Sequence, residues 1–345
     1  MMKEKLAAIF SEQFPKSSDL EFLLSRDKPR ELQEIFEFAD QARKQFMGEG
    51  ILLRGLVEFS NHCRNSCFYC GLNKNNQELE RYRLGKEEIL SCVEKLNSCG
   101  IKTVVLQSGE EDGLDPLWLK SVIEAIKAEF EIAITLSVGE RTKEEYKIWK
   151  DAGANRYLLK IETSNKELYG SLHSGMSFEN RLRCLRDLRA LGYQVGCGNM
   201  IGLKGQTVKT LAEDILFFKE NNFDMIGIGP FIPHPQTRLA SQKKGEVELT
   251  LKVLALTRIV TKNAHLPATT ALGSLEEDFR IKGLKAGANV LMPNFTPLKY
   301  KKLYEIYPGK RCISEPVGAC AFCMEELAHS VGRYIDYSRG DSLKL

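Results

Sequence analysis

From residue 50 onward, short runs rich in β-branched and apolar residues alternate with stretches whose apolar positions recur every three or four residues, the periods that separate strand from helix. The strand-like runs fall at 52–59, 103–107, 133–137, 156–162, 194–200, 225–230, 267–270 and 289–292. Between them stand helical patterns at 86–98, 117–130, 143–152, 178–191, 208–221, 249–261 and 275–286. Strands that alternate with helices make βα units and a parallel sheet. Eight such units predict an α/β fold with a complete (β/α)8 TIM barrel over residues 49–298. Residues 1–48 carry three more helical patterns, at 5–14, 19–24 and 30–46, with Pro29 suited to the first turn of the third. This N-terminal extension is expected across the barrel's bottom. Residues 299–345 form a C-terminal extension with a short helix, further cysteines and a polar end expected to fray.

Composition changes this picture little. A chain of 345 residues, 43% hydrophobic and 28% charged, fits one large barrel with extensions. With 49 basic against 46 acidic residues there is no field that would attract nucleic acid, and Lys299, Lys301, Lys302 and Lys310-Arg311 read as a solvated face. No run of about eighteen apolar residues is present, so no membrane partner is expected. Met1-Met2-Lys3-Glu4-Lys5 leads into an amphipathic stretch rather than a signal segment, so a reducing, cytoplasmic setting without disulfides is expected.

Ten cysteines then sharpen the reading. Cys92, Cys99, Cys184 and Cys197 stand singly in helical or strand-like patterns, where a thiol packs as a small hydrophobe. Cys63, Cys67 and Cys70 follow the first strand directly as Cys-x3-Cys-x2-Cys. A closed zinc site or a fully liganded iron–sulfur cube takes four protein ligands, so three thiolates leave one iron open. His62 could complete a zinc site, although zinc ligands usually come as short pairs separated by a longer loop. Chemistry on a barrel sits at the carboxyl ends of the strands. There the second run ends in Ser108-Gly109-Glu110, the third in Ser137 and the fourth in Glu162, so polar groups converge on one mouth. Glu111, next to the second of these motifs, is assigned no contact.

The cysteine spacing, with an aromatic residue before the last cysteine, resembles the radical-SAM enzymes. Residues 54–72, 105–110, 156–159, 226–235 and 267–271 extend the resemblance to the branch that holds the FeFe-hydrogenase maturases, with biotin synthase and methylornithine synthase as more distant relatives. The resemblance implies a 4Fe-4S cluster on Cys63, Cys67 and Cys70 whose open iron is chelated by S-adenosylmethionine. It implies that Ser108, Gly109 and Glu110 hold the methionine end, serine replacing the first glycine of a Gly-Gly-Glu motif, and that Arg181 pairs with the cofactor carboxylate. Glu162 would bind the ribose, Ser137 would make a neighbouring polar contact, and Tyr69 would lie beside the adenine. Cys312, Cys320 and Cys323 match an auxiliary iron–sulfur site, 2Fe-2S or 4Fe-4S, found in some members.

The implied activity is cleavage of S-adenosylmethionine to a 5′-deoxyadenosyl radical in the assembly of the hydrogenase di-iron subsite. The implied substrate is an organometallic one, a cysteine-bound iron carbonyl cyanide complex, and the implied partners are other hydrogenase maturases and a reductant protein. Thr269, Thr270, Met292 and Tyr304 are candidate substrate contacts, with Tyr307 one helical turn on. His234, between two prolines, reads as a rigid loop residue. Lys160-Ile161 departs from an expected Arg-His pair, and Lys204 stands where the family pattern has proline. A methylornithine-type or biotin-type radical reaction is the alternative enzyme reading, and a non-enzymatic iron–sulfur carrier or zinc protein is disfavoured by the cradle motifs.

Overall fold

A computed structural model describes residues 2–12, 15–311, 313–314 and 319–344, the side chains of 319–322 excepted. In chain order its strands are β1 (Gly50–Leu53), β2 (Gly55–Ser60), β3 (Ser66–Cys67), β4 (Thr103–Ser108), β5 (Ala133–Ser137), β6 (Arg156–Leu158), β7 (His173–Ser174), β8 (Gln194–Ile201), β9 (Met225–Pro230), β10 (Val290–Leu291) and β11 (Tyr334–Asp336). The principal sheet has six parallel strands in the order β2-β4-β5-β6-β8-β9. A second parallel sheet runs β10-β1-β11, and β3 pairs with β7 in a short antiparallel ladder. Single parallel bridges join Met225 to His265, Pro267 to Val290 and Leu56 to Asn294. Strands buried on both faces by flanking helices need near-continuous apolar runs, and β2 and β9 are buried throughout.

Two of the expected units are shorter than their patterns. The run at 267–270 contributes only the bridge at Pro267, because proline has no N–H for a ladder and Thr270–Gly273 turns into a short helix. Its following helix shrinks to Arg280–Lys285. The fourth run stops at Leu158 and rejoins its neighbour at one bridge, Glu162 to Asn199, where Glu162 has φ 65°.

The N-terminal helices do not lie across the bottom. Met2–Ser11, Ser17–Leu24 and Pro29–Met47 pack outside the helices Val208–Glu220 and Val247–Thr261. The reason is in Val247–Thr261, where every residue from 250 to 261 is buried. A helix apolar on nearly all sides requires cover on its outer face as well as its inner one.

The bottom is closed by the polar C-terminal end, which does not fray. β11 pairs with β1, and the Arg339 carbonyl then accepts hydrogen bonds from Thr103 Oγ1 at 2.9 Å and Arg156 Nη2 at 2.8 Å. Asp341 Oδ1 accepts from the same Arg156 nitrogen at 2.7 Å, and Ser342 Oγ donates to Asp224. These partners start β4 and β6 or immediately precede β9, so the tail spans the amino ends of the sheet. Among the described residues no helix is long and apolar enough to cross a membrane.

Candidate active site

The loop after β2 is held in shape by its own polar groups. Asn61 Nδ2 donates to the carbonyls of Glu80 and Leu303, and Asn61 Oδ1 accepts from the Tyr82 N–H at 2.8 Å. The Arg81 guanidinium donates to the carbonyls of Asn61, Leu72 and Asn73 at 2.7, 2.9 and 2.8 Å. A side chain at Gly71 would lie 2.2 Å from the Glu305 carbonyl oxygen and 2.6 Å from the His234 ring, so only glycine fits there. Within this loop Cys67 pairs with His173 in the β3–β7 ladder.

Tyr69 is fixed by the same ladder. His173 Nδ1 lies 3.0 Å from the Tyr169 carbonyl, which can only accept, so Nδ1 carries the proton and Nε2 accepts from the Tyr69 hydroxyl at 2.9 Å. Burial holds the His173 pKa down at about 3, keeping the ring neutral. The Tyr169 ring stacks on His173 and also lies under the Arg181 guanidinium, 5.9 Å from its centroid.

Burial raises the pKa of Cys63 and Cys70 and, helped by Cys63, pushes Cys67 up to about 12. A bound metal reverses that logic by displacing the proton outright. Among the described residues no three His, Cys, Asp or Glu side chains gather as a single metal ion needs. Three thiols supplied by one loop suit a cube, whose irons take one thiolate each.

Beside the thiols lies a polar cradle. A Cβ on Gly109 would fall 2.2 Å from the His62 carbonyl oxygen and 2.9 Å from Cys63 Cβ, so glycine lets β4 approach the cysteine loop. Glu110 Oε1 accepts from Arg64 Nε and Nη2 at 3.0 and 2.9 Å, and Glu110 Oε2 accepts from the Glu140 N–H at 2.7 Å. Glu140 in turn accepts from Arg181 Nε at 2.7 Å, while Arg181 Nη1 reaches the Lys160 carbonyl. Glu162 Oε2 is buried 2.9 Å from Lys160 Nζ, a charge contact without hydrogen-bond geometry, so this oxygen remains an open acceptor. Buried polar atoms normally have partners, and an orphan at a cavity wall is a place for a ligand hydroxyl.

These groups share one cavity of about 370 Å³, a size usual for small-molecule sites. Cys63, Cys67, Tyr69, Cys70, Ser108, Gly109, Glu110, Glu162 and Arg181 line one part of its wall. Thr269, Thr270, Met292, Tyr304 and Tyr307 line another. Ser137 ends β5 beside Gln107 but is not among the residues that line the cavity, and His234 packs against Gly71. Glu111 does make contacts, accepting from Ser60 Oγ at 3.0 Å and pairing with Arg83. Cys323 is exposed on the helix Ala319–Ser330, while Cys312 and the Cys320 side chain lie outside the described residues. Cys92, Cys184 and Cys197 are buried, and Cys99 is half-buried.

The cavity also holds residues not anticipated from sequence. Glu58 and Lys310 pair within its wall. Glu58 carried a faint signal as the one charge in an apolar run, whereas Lys310 and Lys301, read as a solvated face, are instead buried, Lys310 against the Glu58 carboxylate.

Comparison with known proteins agrees with this geometry. The Radical SAM superfamily model matches residues 57–218. The [FeFe] hydrogenase maturase subunit HydE of Thermotoga maritima is 48% identical over 304 residues, which is 87% of this chain and 86% of that protein. The chain belongs to the HydE family of radical SAM enzymes. A 3-methylornithine synthase of Methanosarcina acetivorans is 29% identical to this HydE-family chain over 275 residues, 79% of this chain and 77% of that one. The crystal structure of methylornithine synthase (PylB) superposes with a TM-score of 0.82 over 97% of each chain at 24% identity. HydG, a maturase of the [FeFe]-hydrogenase, gives a TM-score of 0.82 over 98% of this chain and 76% of its own at 18% identity. These superpositions show a shared fold. Membership in the radical SAM family implies a 4Fe-4S cluster and S-adenosylmethionine, and the three thiols and the open Glu162 oxygen fit both.

Proposed function

We propose that this chain acts in maturation of the FeFe-hydrogenase H-cluster, on a cysteine-bound iron carbonyl cyanide precursor of the di-iron subsite. The observation that carries the reading is the convergence of three thiols, the Glu140-held Arg181 and the Glu162 carboxylate, whose Oε2 accepts no hydrogen bond, on one cavity. When bound, the cluster and S-adenosylmethionine supply a primary carbon radical, 5′-deoxyadenosyl. Cys63, Cys67 and Cys70 hold the cluster, and Ser108, Gly109 and Glu110 receive the methionine end of the cofactor. Arg181, aimed by Glu140, binds its carboxylate; Glu162 binds the ribose with Ser137 nearby, and Tyr69 lies beside the adenine. Thr269, Thr270, Met292 and Tyr304, which line the same cavity, contact the substrate. Holding both reactants in one chamber places the intended atom against the radical.

The bridges at His265, Pro267 and Asn294 support a closed eight-stranded barrel over residues 49–298, flanked by a helical extension at 1–48 and a tail at 299–345. Cys312, Cys320 and Cys323 hold an auxiliary iron–sulfur cluster on that tail. Other maturases and a cytoplasmic reductant protein are the partners. The test is in vitro maturation of apo-hydrogenase with this chain in place of the HydE component. Active hydrogenase together with 5′-deoxyadenosine is expected. Deoxyadenosine without hydrogenase activity would point instead to a methylornithine-type or biotin-type reaction.

A further inference from the structure

Glu162 is held in an unusual backbone conformation by its neighbours. Its φ of 65° lies in the left-handed region that glutamate rarely occupies, and such residues persist where the surroundings over-determine them. The Glu162 N–H donates to the Gly198 carbonyl at 3.0 Å, and the Glu162 carbonyl accepts from the Met200 N–H at 3.1 Å. Both partners flank Asn199, the residue bridged to Glu162.

Asp214, on the helix Val208–Glu220, grips both sides of this arrangement. Its Oδ2 accepts from Asn199 Nδ2 at 2.9 Å. Its Oδ1 accepts from the Ser164 N–H and the Ser164 hydroxyl, each at 2.6 Å, two residues beyond Glu162. The carboxylate is fully buried, and no ion pair joins it among the described residues. A carboxylate in that setting is costly unless every lone pair it presents is used. Here the donors it gathers come from the loop after β6 and from β8, the two elements that define the Glu162 backbone.

We propose that Asp214 is a positioning residue for the cofactor ribose: by clamping Ser164 and Asn199 it maintains the left-handed turn that aims the Glu162 carboxylate into the chamber. The proposal rests on the assignment of Glu162 to the ribose. It accounts for a buried acid that touches neither the cavity nor a cation, and it makes ribose recognition depend on a helix behind the site.

The test uses anaerobically reconstituted protein, with iron content and S-adenosylmethionine affinity by calorimetry as readouts. Asp214→Asn places a donor against the Asn199 amide and is expected to weaken binding about ten-fold or more at wild-type iron content. The exchange N199D/D214N swaps donor and acceptor across the same contact and is expected to restore affinity. Ser164→Ala removes one donor and keeps the carboxylate, and is expected to weaken binding about three-fold, which preserves the test if Asp214→Asn does not fold. Wild-type affinity in Glu162→Ala would remove the ribose assignment beneath the proposal. Weak binding by Glu162→Ala alongside wild-type binding by both Asp214→Asn and Ser164→Ala would overturn the positioning role while leaving that assignment standing. An exchange variant as weak as Asp214→Asn would overturn it as well.

Discussion

Lys310 Nζ meets the carboxylate of Glu58 across 252 residues of sequence, inside the chamber wall, while Asn294 Nδ2 donates to the other Glu58 oxygen at 2.9 Å. Both charged side chains are almost fully buried. The pair ties the stretch after β10 to β2, and the Leu303 and Ile306 carbonyls bind the cysteine loop through Asn61 and the Gly71 N–H. That stretch carries Tyr304 over the cavity.

Removing one partner leaves the other charge buried. Lys310→Met is expected to cost about 3–5 kcal/mol in urea unfolding, because the Glu58 carboxylate loses its compensating cation. The double variant Lys310→Met/Glu58→Gln should recover most of that loss, since a neutral amide still accepts from Asn294. A double variant no more stable than Lys310→Met would show that the charge is not the cause.

Alanine at Cys63, Cys67 or Cys70 is expected to abolish 5′-deoxyadenosine formation and to lower the iron bound after anaerobic reconstitution. Alanine at Cys312, Cys320 and Cys323 together should leave deoxyadenosine formation intact. Product analysis by liquid chromatography with an iron assay checks both, and cofactor cleavage by the triple variant at 63, 67 and 70 would sink the assignment.

Arg181→Ala and Glu162→Ala are expected to weaken S-adenosylmethionine binding about ten- to hundred-fold without loss of iron, as charge-assisted contacts in a closed site contribute roughly 1.5–3 kcal/mol each. Glu140→Gln should show a smaller loss by loosening Arg181. Exposed Glu144 supplies the control; Glu111 cannot, because it anchors Ser60 and Arg83. Equal losses in all variants, Glu144→Ala included, would signal a global defect.

His173 makes stability depend on pH. Its native pKa is depressed to about 3 from 6.5, so as pH falls through that interval the unfolded chain takes up a proton that the folded one refuses. Stability contributed by the neutral ring is therefore complete above pH 6.5 and declines toward pH 3, with a slope of at most about 1.4 kcal/mol per pH unit. His173→Gln can still accept from Tyr69 and should flatten this part of the profile. An equal loss of stability between pH 6.5 and 4.5 in the wild type and the variant, measured by urea unfolding, would contradict it.

Asp341→Ala removes the carboxylate beside the buried Arg156 guanidinium and is expected to lower the unfolding midpoint. Affinity for S-adenosylmethionine should be unchanged, because the tail lies at the opposite end of the sheet from the cysteine loop. A selective loss of cofactor binding at an unchanged midpoint would argue for coupling between the two ends.

Much of this protein was legible along the chain because the information is local. Parallel strands announce themselves as apolar runs, and the runs at 133–137 and 225–230 coincide with β5 and β9 residue for residue. The cysteine spacing is likewise local, since one loop supplies all three thiols. What failed locally depended on cover and on partners distant in sequence. The amphipathic N-terminal helices carry an apolar stripe but no sign of which surface receives it, and the all-round burial of Val247–Thr261 decided that. Polarity at the C-terminus read as exposure, yet the Arg339 carbonyl and the Asp341 and Ser342 side chains bond Thr103, Arg156 and Asp224 at the amino ends of β4, β6 and β9. Glu58 with Lys310 and Asp214 with Ser164 are ordinary residues until folding brings them together, for a buried charge acquires its meaning only from the group placed opposite it.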